Sequence, residues 1–389
     1  MRFSLLSAAL VAALVGYGST IALVLSAAAA LGASPDQTAS WVFAICIAKA
    51  AGSAWLSYRQ RIPMVLAWST PGAALIAATT GITMAEAVGA FVLSGLLIAL
   101  TGTLRPLGRA VAMIPDGIAS GMLAGVLLPF CLKGGASLQA LPMLVLPMVA
   151  VFLLVRLKNP ALAVLAALLC GLGLAFATGA THLPGLSLPL PTLVLIPPAF
   201  RIDVLIGLGL PLYLVTMASQ NLPGFATLRA AGYEPPVNAA LTTTGLLSAG
   251  AGLFGAHPIS MAAITAAICL GDDVHPDRSE RWKVGLAYAA AWVALGLLSP
   301  VILPILSALP PALMVALVAL ALLGPLTGAL TSAFHTAQTR FAATITLVTT
   351  GWCSSQASAV CATVAPWISA TPRRASSTPG SLSRSTGGK

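Results

Sequence analysis

GLFGAHPISMAAITAAICLGDDVHP, residues 252–276, is the stretch on which the reading of this chain turns. It begins with Gly252, Gly255, His257 and Pro258, continues as a short apolar run carrying Ser260 and Thr265, and ends at Asp272, Asp273 and a cluster of charge. The apolar part, Ile259 to Leu270, is about two-thirds of the ~20 residues that a spanning helix needs. A short hydrophobic segment interrupted by Gly and Pro, in a chain with many spans, points to a broken helix lining a binding site. Irregular backbone at membrane depth survives only under protein or beside a wet cavity.

The composition makes the chain a polytopic membrane protein. Its 389 residues are 58% hydrophobic and 7% charged, with a mean hydropathy of +0.97, where a soluble protein carries about 25% charged residues. The apolar runs are continuous rather than alternating, which excludes an outer-membrane barrel. The net charge of +10 is spread between apolar runs in ones, twos and threes. That is the pattern of cytoplasmic loops, not of a nucleic-acid surface. The six cysteines have no metal-ligand spacing, and neither a cofactor nor a metal is expected. Met1 to Ala30 is too apolar over too long a run for a signal peptide, and reads as the first span.

Twelve spans follow one another to Leu330, and a thirteenth begins at Phe341. The first, Leu6 to Leu31, holds Tyr17-Gly18-Ser19-Thr20, read as close helix packing in preference to a site. Lys49 falls inside the second span, Thr38 to Ser57, where snorkelling and an inward-facing pair are both open. In the third, Pro63 to Trp68 should be extended, and a half-helix should start at Pro71 with Ser69 or Thr70 as its cap. The eighth, Ile202 to Asn221, runs into Ser219-Gln220-Asn221-Leu222-Pro223-Gly224. The eleventh is expected as one helix, Val284 to Ile305. Lys and Arg concentrate in alternate loops, which places the N-terminus in the cytoplasm.

Seven spans precede the long Pro-rich loop at 181–200, and seven more would complete an inverted pair. The broken segments at Ser69 and His257 take the same ordinal position in the two halves, the expected pointer to a transporter's site. Their helix N-termini would converge near the midplane and favour an anion. After Val348 the pattern fails: residues 349–389 are rich in Ser, Thr, Ala and Arg. The expectation is a shift of reading frame near Thr349, with a disordered cytoplasmic tail as the other reading; either divides the chain into a membrane domain, 1–348, and an atypical tail, 349–389, and the last two spans are disrupted.

Four stretches carry a resemblance: GAHPISMAAITAAICLGDDVHPDRSERW, the Ser69-Thr70-Pro71-Gly72 group, PDGIASGMLAG from Pro115, and Ser219 to Gly224. Together they resemble the benzoate/proton symporter family, over roughly residues 8–348. Pro258 and Ser260 stand where that family usually carries Ala and Asn. The family is similar in architecture to the uracil/proton symporters and to the sulfate and anion exchangers. The resemblance implies an all-α seven-plus-seven inverted repeat with strands leading into the half-helices. It also implies a core of spans one to four and eight to eleven, and a gate of spans five to seven and twelve onward.

The expected function is secondary import of benzoate or a similar aromatic carboxylate with protons across the inner membrane. The alternatives are another small anion or a nucleobase on the same fold. The substrate candidates are Tyr17, Ser69, Thr70, Gln220, Asn221, His257 and Ser260, with Trp68 as a further stacking surface. His257 is the proton-coupling candidate, placed at the mouth of the second half-helix, with a neutral capping donor as its other reading. No acid lies deep in an apolar run, which favours an anion over a nucleobase. Paired broken helices argue against a channel. No nucleophile elbow, phosphate loop or ATP motif appears, against an enzyme or a primary pump. Lipid, the carboxylate and protons are the expected partners, no nucleic acid is among them, and a homodimer is left open.

Overall fold

Each helix begins and ends where the sequence supplies the group that its backbone lacks. The computed structural model describes residues 3–104, 116–181, 190–272, 274–335 and 339–355. The first half holds α1 (Phe3–Gly18), α2 (Ile21–Ala30), α3 (Pro35–Gln60), β1 (Leu66–Trp68), α4 (Thr70–Ala77), α5 (Met84–Thr103), α6 (Asp116–Ala140), α7 (Pro142–Lys158) and α8 (Ala163–Ala177). Ser34 and Gln37 cap α3 reciprocally, as Thr83 and Glu86 cap α5. Such boxes satisfy two orphan N–H groups at once.

The second half holds α9 (Ile202–Ala230), α10 (Val237–Gly252), β2 (Ile259–Met261), α11 (Ile264–Leu270), α12 (Lys283–Leu297), α13 (Ser299–Ser307), α14 (Pro311–His335) and α15 (Arg340–Ser355). The two halves pack on each other span by span: α3 (span two) on α12 (span eleven), α5 (span four) on α10 (span nine), and α6 (span five) on its counterpart α14 (span twelve). The α5–α10 seam runs through small residues. A Cβ on Gly95 would stand 2.5 Å from the Ala249 nitrogen, and Gly245 faces Ala99 as closely from the other side. Small residues four apart on both helices let the backbones touch.

β1 and β2 pair antiparallel, with Leu66 opposite Met261, Ala67 opposite Ser260 and Trp68 opposite Ile259. A two-stranded sheet this deep has two open edges, and each unpaired group there costs about 1–3 kcal/mol. Side chains from four helices close those edges. Ser53 Oγ accepts from the Leu66 N–H at 3.0 Å, and the Tyr288 hydroxyl donates to the Leu66 carbonyl at 2.9 Å. Ser248 Oγ accepts from Ile259 N–H at 3.0 Å, and Asn221 Oδ1 from Met261 N–H at 2.9 Å. The extended stretch after Pro63 and the half-helix capped by Ser69 are thus both present.

Four expected spans take a different form. The first breaks at Ser19–Thr20 between α1 and α2. The eighth does not stop at Asn221. It opens into π-turns at Leu205–Gly209 and Met217–Asn221 and continues to Ala230. Each π-turn precedes a proline, Pro211 or Pro223, whose ring would strike the carbonyl four residues back in a regular helix. A one-residue widening relieves that clash. The eleventh bends by 59° between α12 and α13, where Ser299-Pro300 opens the second piece. The thirteenth continues past Val348 as α15 to Ser355, and Gly125 of α6 lies against Thr350 and Leu347. The expected boundary at 348 therefore falls inside a helix. Residues 356–389, where the missing fourteenth span was expected, lie outside the described residues.

Candidate functional site

A cavity of about 400 Å³ lies where the two half-helices begin. Thr70 and Pro71 at the start of α4, and Ala262, Ala263 and Ile264 at the start of α11, are in its wall. The break in span one contributes Gly16, Ser19 and Thr20, and the second π-turn of α9 contributes Ala218, Ser219 and Gln220. The opposite wall is Ser120 and Leu123 of α6 with Pro325, Gly328, Ala329 and Ser332 of α14. Among the described residues the lining contains no carboxylate.

Lys49 is the one charged residue of this wall among the described residues. It sits on α3, 1% exposed. Its Nζ stands 2.9 Å above the Trp292 ring centroid and 4.2 Å from that of Trp68. Trp68 comes from β1 and Trp292 from α12, and the two rings meet edge to face at 5.3 Å. Tyr17 backs both, at 5.8 Å and 6.0 Å. Among the described residues no carboxylate pairs with Lys49. Two indole faces compensate an ammonium in part, by up to about 2 kcal/mol each when desolvated. An uncompensated cation inside a membrane protein costs several kcal/mol more.

Other donors around this ammonium are also unspent. Tyr17 Oη, Thr265 Oγ1 and Trp292 Nε1 are buried without a completed hydrogen bond, the last two beside the Tyr288 hydroxyl. Buried polar groups are ordinarily paired. A cluster of unpaired donors next to an ammonium is suited to accept an anion.

The seven candidates divide. Thr70 and Gln220 line the cavity, and Thr70 Oγ1 reaches Thr20 Oγ1 at 3.5 Å. Tyr17 stands behind the two indoles. Ser69 caps α4 through Gly72 N–H, 3.1 Å, and bonds Thr216 Oγ1 at 2.8 Å. Asn221 holds Met261 of β2, and the Ser260 hydroxyl reaches the Ala67 carbonyl at 3.5 Å. These three are occupied in assembling the two strands.

His257 is not at the mouth of the second half-helix, because β2 and Ala262-Ala263 intervene. It is fully buried and outside the cavity wall. Its Nδ1 accepts from Trp41 Nε1 at 2.9 Å, which fixes the proton on Nε2 because an indole only donates. Nε2 is near the Ser69 backbone without completing a hydrogen bond.

Three cavity features escape the sequence. The Ser19–Thr20 group is part of the wall as well as of the packing. Tyr288 on the wall and Trp292 behind Lys49 carry no local sign of their place. Lys49 did carry one: an intramembrane cation is a functional candidate by default. A second, more open cavity of about 490 Å³ is lined by Arg156, Thr327, Thr331 and His335 and shares Gly328 and Ser332 with the first.

Two curated proteins resemble this chain over most of its length. Inner membrane protein YdcO of Escherichia coli (strain K12) is 37% identical over 308 residues, 78% of each chain. The Benzoate membrane transport protein of Acinetobacter baylyi is 33% identical over 304 residues, 78% of this chain and 77% of that one. Among solved structures, the transmembrane domain of a cyanobacterium bicarbonate transporter, BicA, aligns with a TM-score of 0.62 at 18% identity, over 94% of this chain and 98% of that one. SLC26A9 aligns at 0.61 and 14% identity, over 92% of this chain and 63% of that one. Those likenesses establish the seven-plus-seven inverted-repeat fold. The family described as Benzoate membrane transport protein matches residues 1–363, fifteen beyond the extent expected from the sequence motifs, and the chain belongs to that family of membrane transporters and is not an enzyme.

Proposed function

We propose that this chain is a secondary active transporter that imports benzoate or a similar aromatic carboxylate together with protons across the inner membrane, with its N-terminus in the cytoplasm. The observation that carries this reading is the Lys49 amine, buried against Trp68 and Trp292 beside a cavity whose wall, among the described residues, holds no acid. A carboxylate answers the ammonium, and an aromatic ring fits beside indole faces. About 400 Å³ lies within the usual range of small-ligand sites. The core is α1–α5 with α9–α13, and the gate is α6–α8 with α14 and α15. The cavity lies between them, as alternating access requires.

The test is uptake of radiolabelled benzoate by proteoliposomes holding the full chain, with and without an inward proton gradient. The expected result is saturable uptake that the gradient accelerates. Excess unlabelled benzoate should compete, and bicarbonate, sulfate and uracil at the same excess should not. Competition by bicarbonate or sulfate with no saturable benzoate uptake would move the assignment to a small inorganic anion. Competition by uracil would move it to a nucleobase.

A further inference from the structure

We propose that Lys49 is the residue that both seats the substrate carboxylate and carries the coupled proton, so that one carboxylate and one proton cross together as a neutral pair. The inference rests on the aromatic-carboxylate reading above and adds the identity of the carrier and the charge balance of the cycle.

The argument begins with what surrounds the Lys49 amine. The titratable groups about it are Cys46 one turn earlier on α3, Tyr17 on α1, Tyr288 on α12, which lines the same cavity, and His257 ahead of β2, with Cys269 of α11 beyond Tyr288. None of them is an anion at neutral pH in its ordinary state. Among the described residues no carboxylate faces the amine from any neighbouring element. An ammonium alone at this depth is costly, and so is a carboxylate alone. An ammonium and a carboxylate that form together leave the site with no net charge. The indole faces at 2.9 Å and 4.2 Å hold the amine in place in either state.

The cycle balances without another ionisable group. From the outer side the neutral amine takes one proton, and the benzoate anion docks on the resulting ammonium. The loaded site changes access as a neutral unit. On the inner side benzoate leaves, the ammonium gives its proton to water, and the neutral amine returns. His257 has no part in this cycle. Its Nδ1 is committed to Trp41, and it does not line the cavity.

The decisive experiment measures protons taken up when benzoate binds. Purified full-length protein in weakly buffered detergent solution, with a pH-indicator dye, is titrated with pH-matched benzoate. The wild type should take up about one proton per benzoate bound, and its Kd should fall about tenfold per unit decrease in pH while the amine starts neutral. His257→Asn, whose side-chain oxygen can still accept from Trp41, should behave the same. Lys49→Arg keeps a permanent cation, and should bind benzoate with no proton uptake. In proteoliposomes it should retain benzoate–benzoate exchange and lose gradient-driven net uptake by at least about tenfold. Wild-type uptake should not respond to an imposed membrane potential at equal pH.

Binding by wild type without proton uptake overturns the proposal. So does proton uptake that survives in Lys49→Arg and disappears in His257→Asn, and so does uptake driven by potential alone. Absence of any benzoate binding by the wild type overturns the substrate reading itself, which is a different result from each of these.

Discussion

Lys49 lies one turn after Cys46, and its ammonium rests against two indoles that come from distant parts of the chain. If those faces hold the cation and one wall of the substrate ring, shortening one should weaken binding without unfolding the protein. Trp292→Phe keeps a ring but gives up the strongest cation–π face, a difference of about 1 kcal/mol. The KM for benzoate in uptake should rise about fivefold, with expression unchanged; an unaltered KM would remove Trp292 from the clamp. The neighbouring pair Gln220 and Asn221 should separate two roles. Asn221→Ala leaves the Met261 N–H without its partner, which costs about 1–3 kcal/mol, so thermal stability and yield should drop. Gln220→Ala, on the cavity wall, should leave the melting temperature in place and raise KM. The opposite assignment of effects would mean that Asn221, rather than Gln220, contacts substrate.

At the scale of elements, the sequence is most legible where proline and glycine interrupt an apolar run. Ser69-Thr70-Pro71-Gly72 and Gly255-Ala256-His257-Pro258 mark the two broken spans, and the first half-helix starts where its residues place it, while the second begins only at Ile264, beyond β2. Legibility fails where a proline is absorbed instead of ending a helix. Pro211 and Pro223 suggest a stop near Asn221, yet the π-turns carry α9 on to Ala230. It fails also for the site, because Lys49, Trp68, and the pair Tyr288 and Trp292 belong to three elements that only the repeat brings together. His257 stood out by its chemistry, but its partner Trp41 is 216 residues away. The α5–α10 seam offers a direct check on the repeat packing. Gly245→Val would drive a branched side chain into the Ala99 backbone, which has no flexible neighbour to yield. Overpacking of this kind costs typically about 1–3 kcal/mol. The variant should show a lower melting temperature and a broadened size-exclusion profile in detergent, and a wild-type profile would mean that the two helices are not in contact there.

The whole molecule sets two groups of helices against each other across one cavity. One wall is α6 and α14, where Ser120 Oγ and Ser332 Oγ bond at 2.9 Å. The facing wall is the assembly around β1 and β2. A carrier that alternates access must change the separation of those walls, so a position on α14 should be reachable by solvent from one side and shielded by substrate. Ser332 is the position to use, because it borders both the inner cavity and the open one lined by Arg156 and His335. In a background with all six cysteines replaced, Ser332→Cys should react with a membrane-impermeant thiol reagent. The expected reaction is from the side of the Arg156 loop, which is cytoplasmic in the proposed orientation. Benzoate should slow that labelling several-fold at concentrations near its KM for uptake, and lowering the pH should strengthen the protection if proton and carboxylate bind as a pair. Labelling that benzoate does not alter would place the substrate elsewhere, whatever the two walls do. Labelling from the opposite side would reverse the orientation while leaving the site intact, so the same cysteine tests both the position of the cavity and the direction in which it opens.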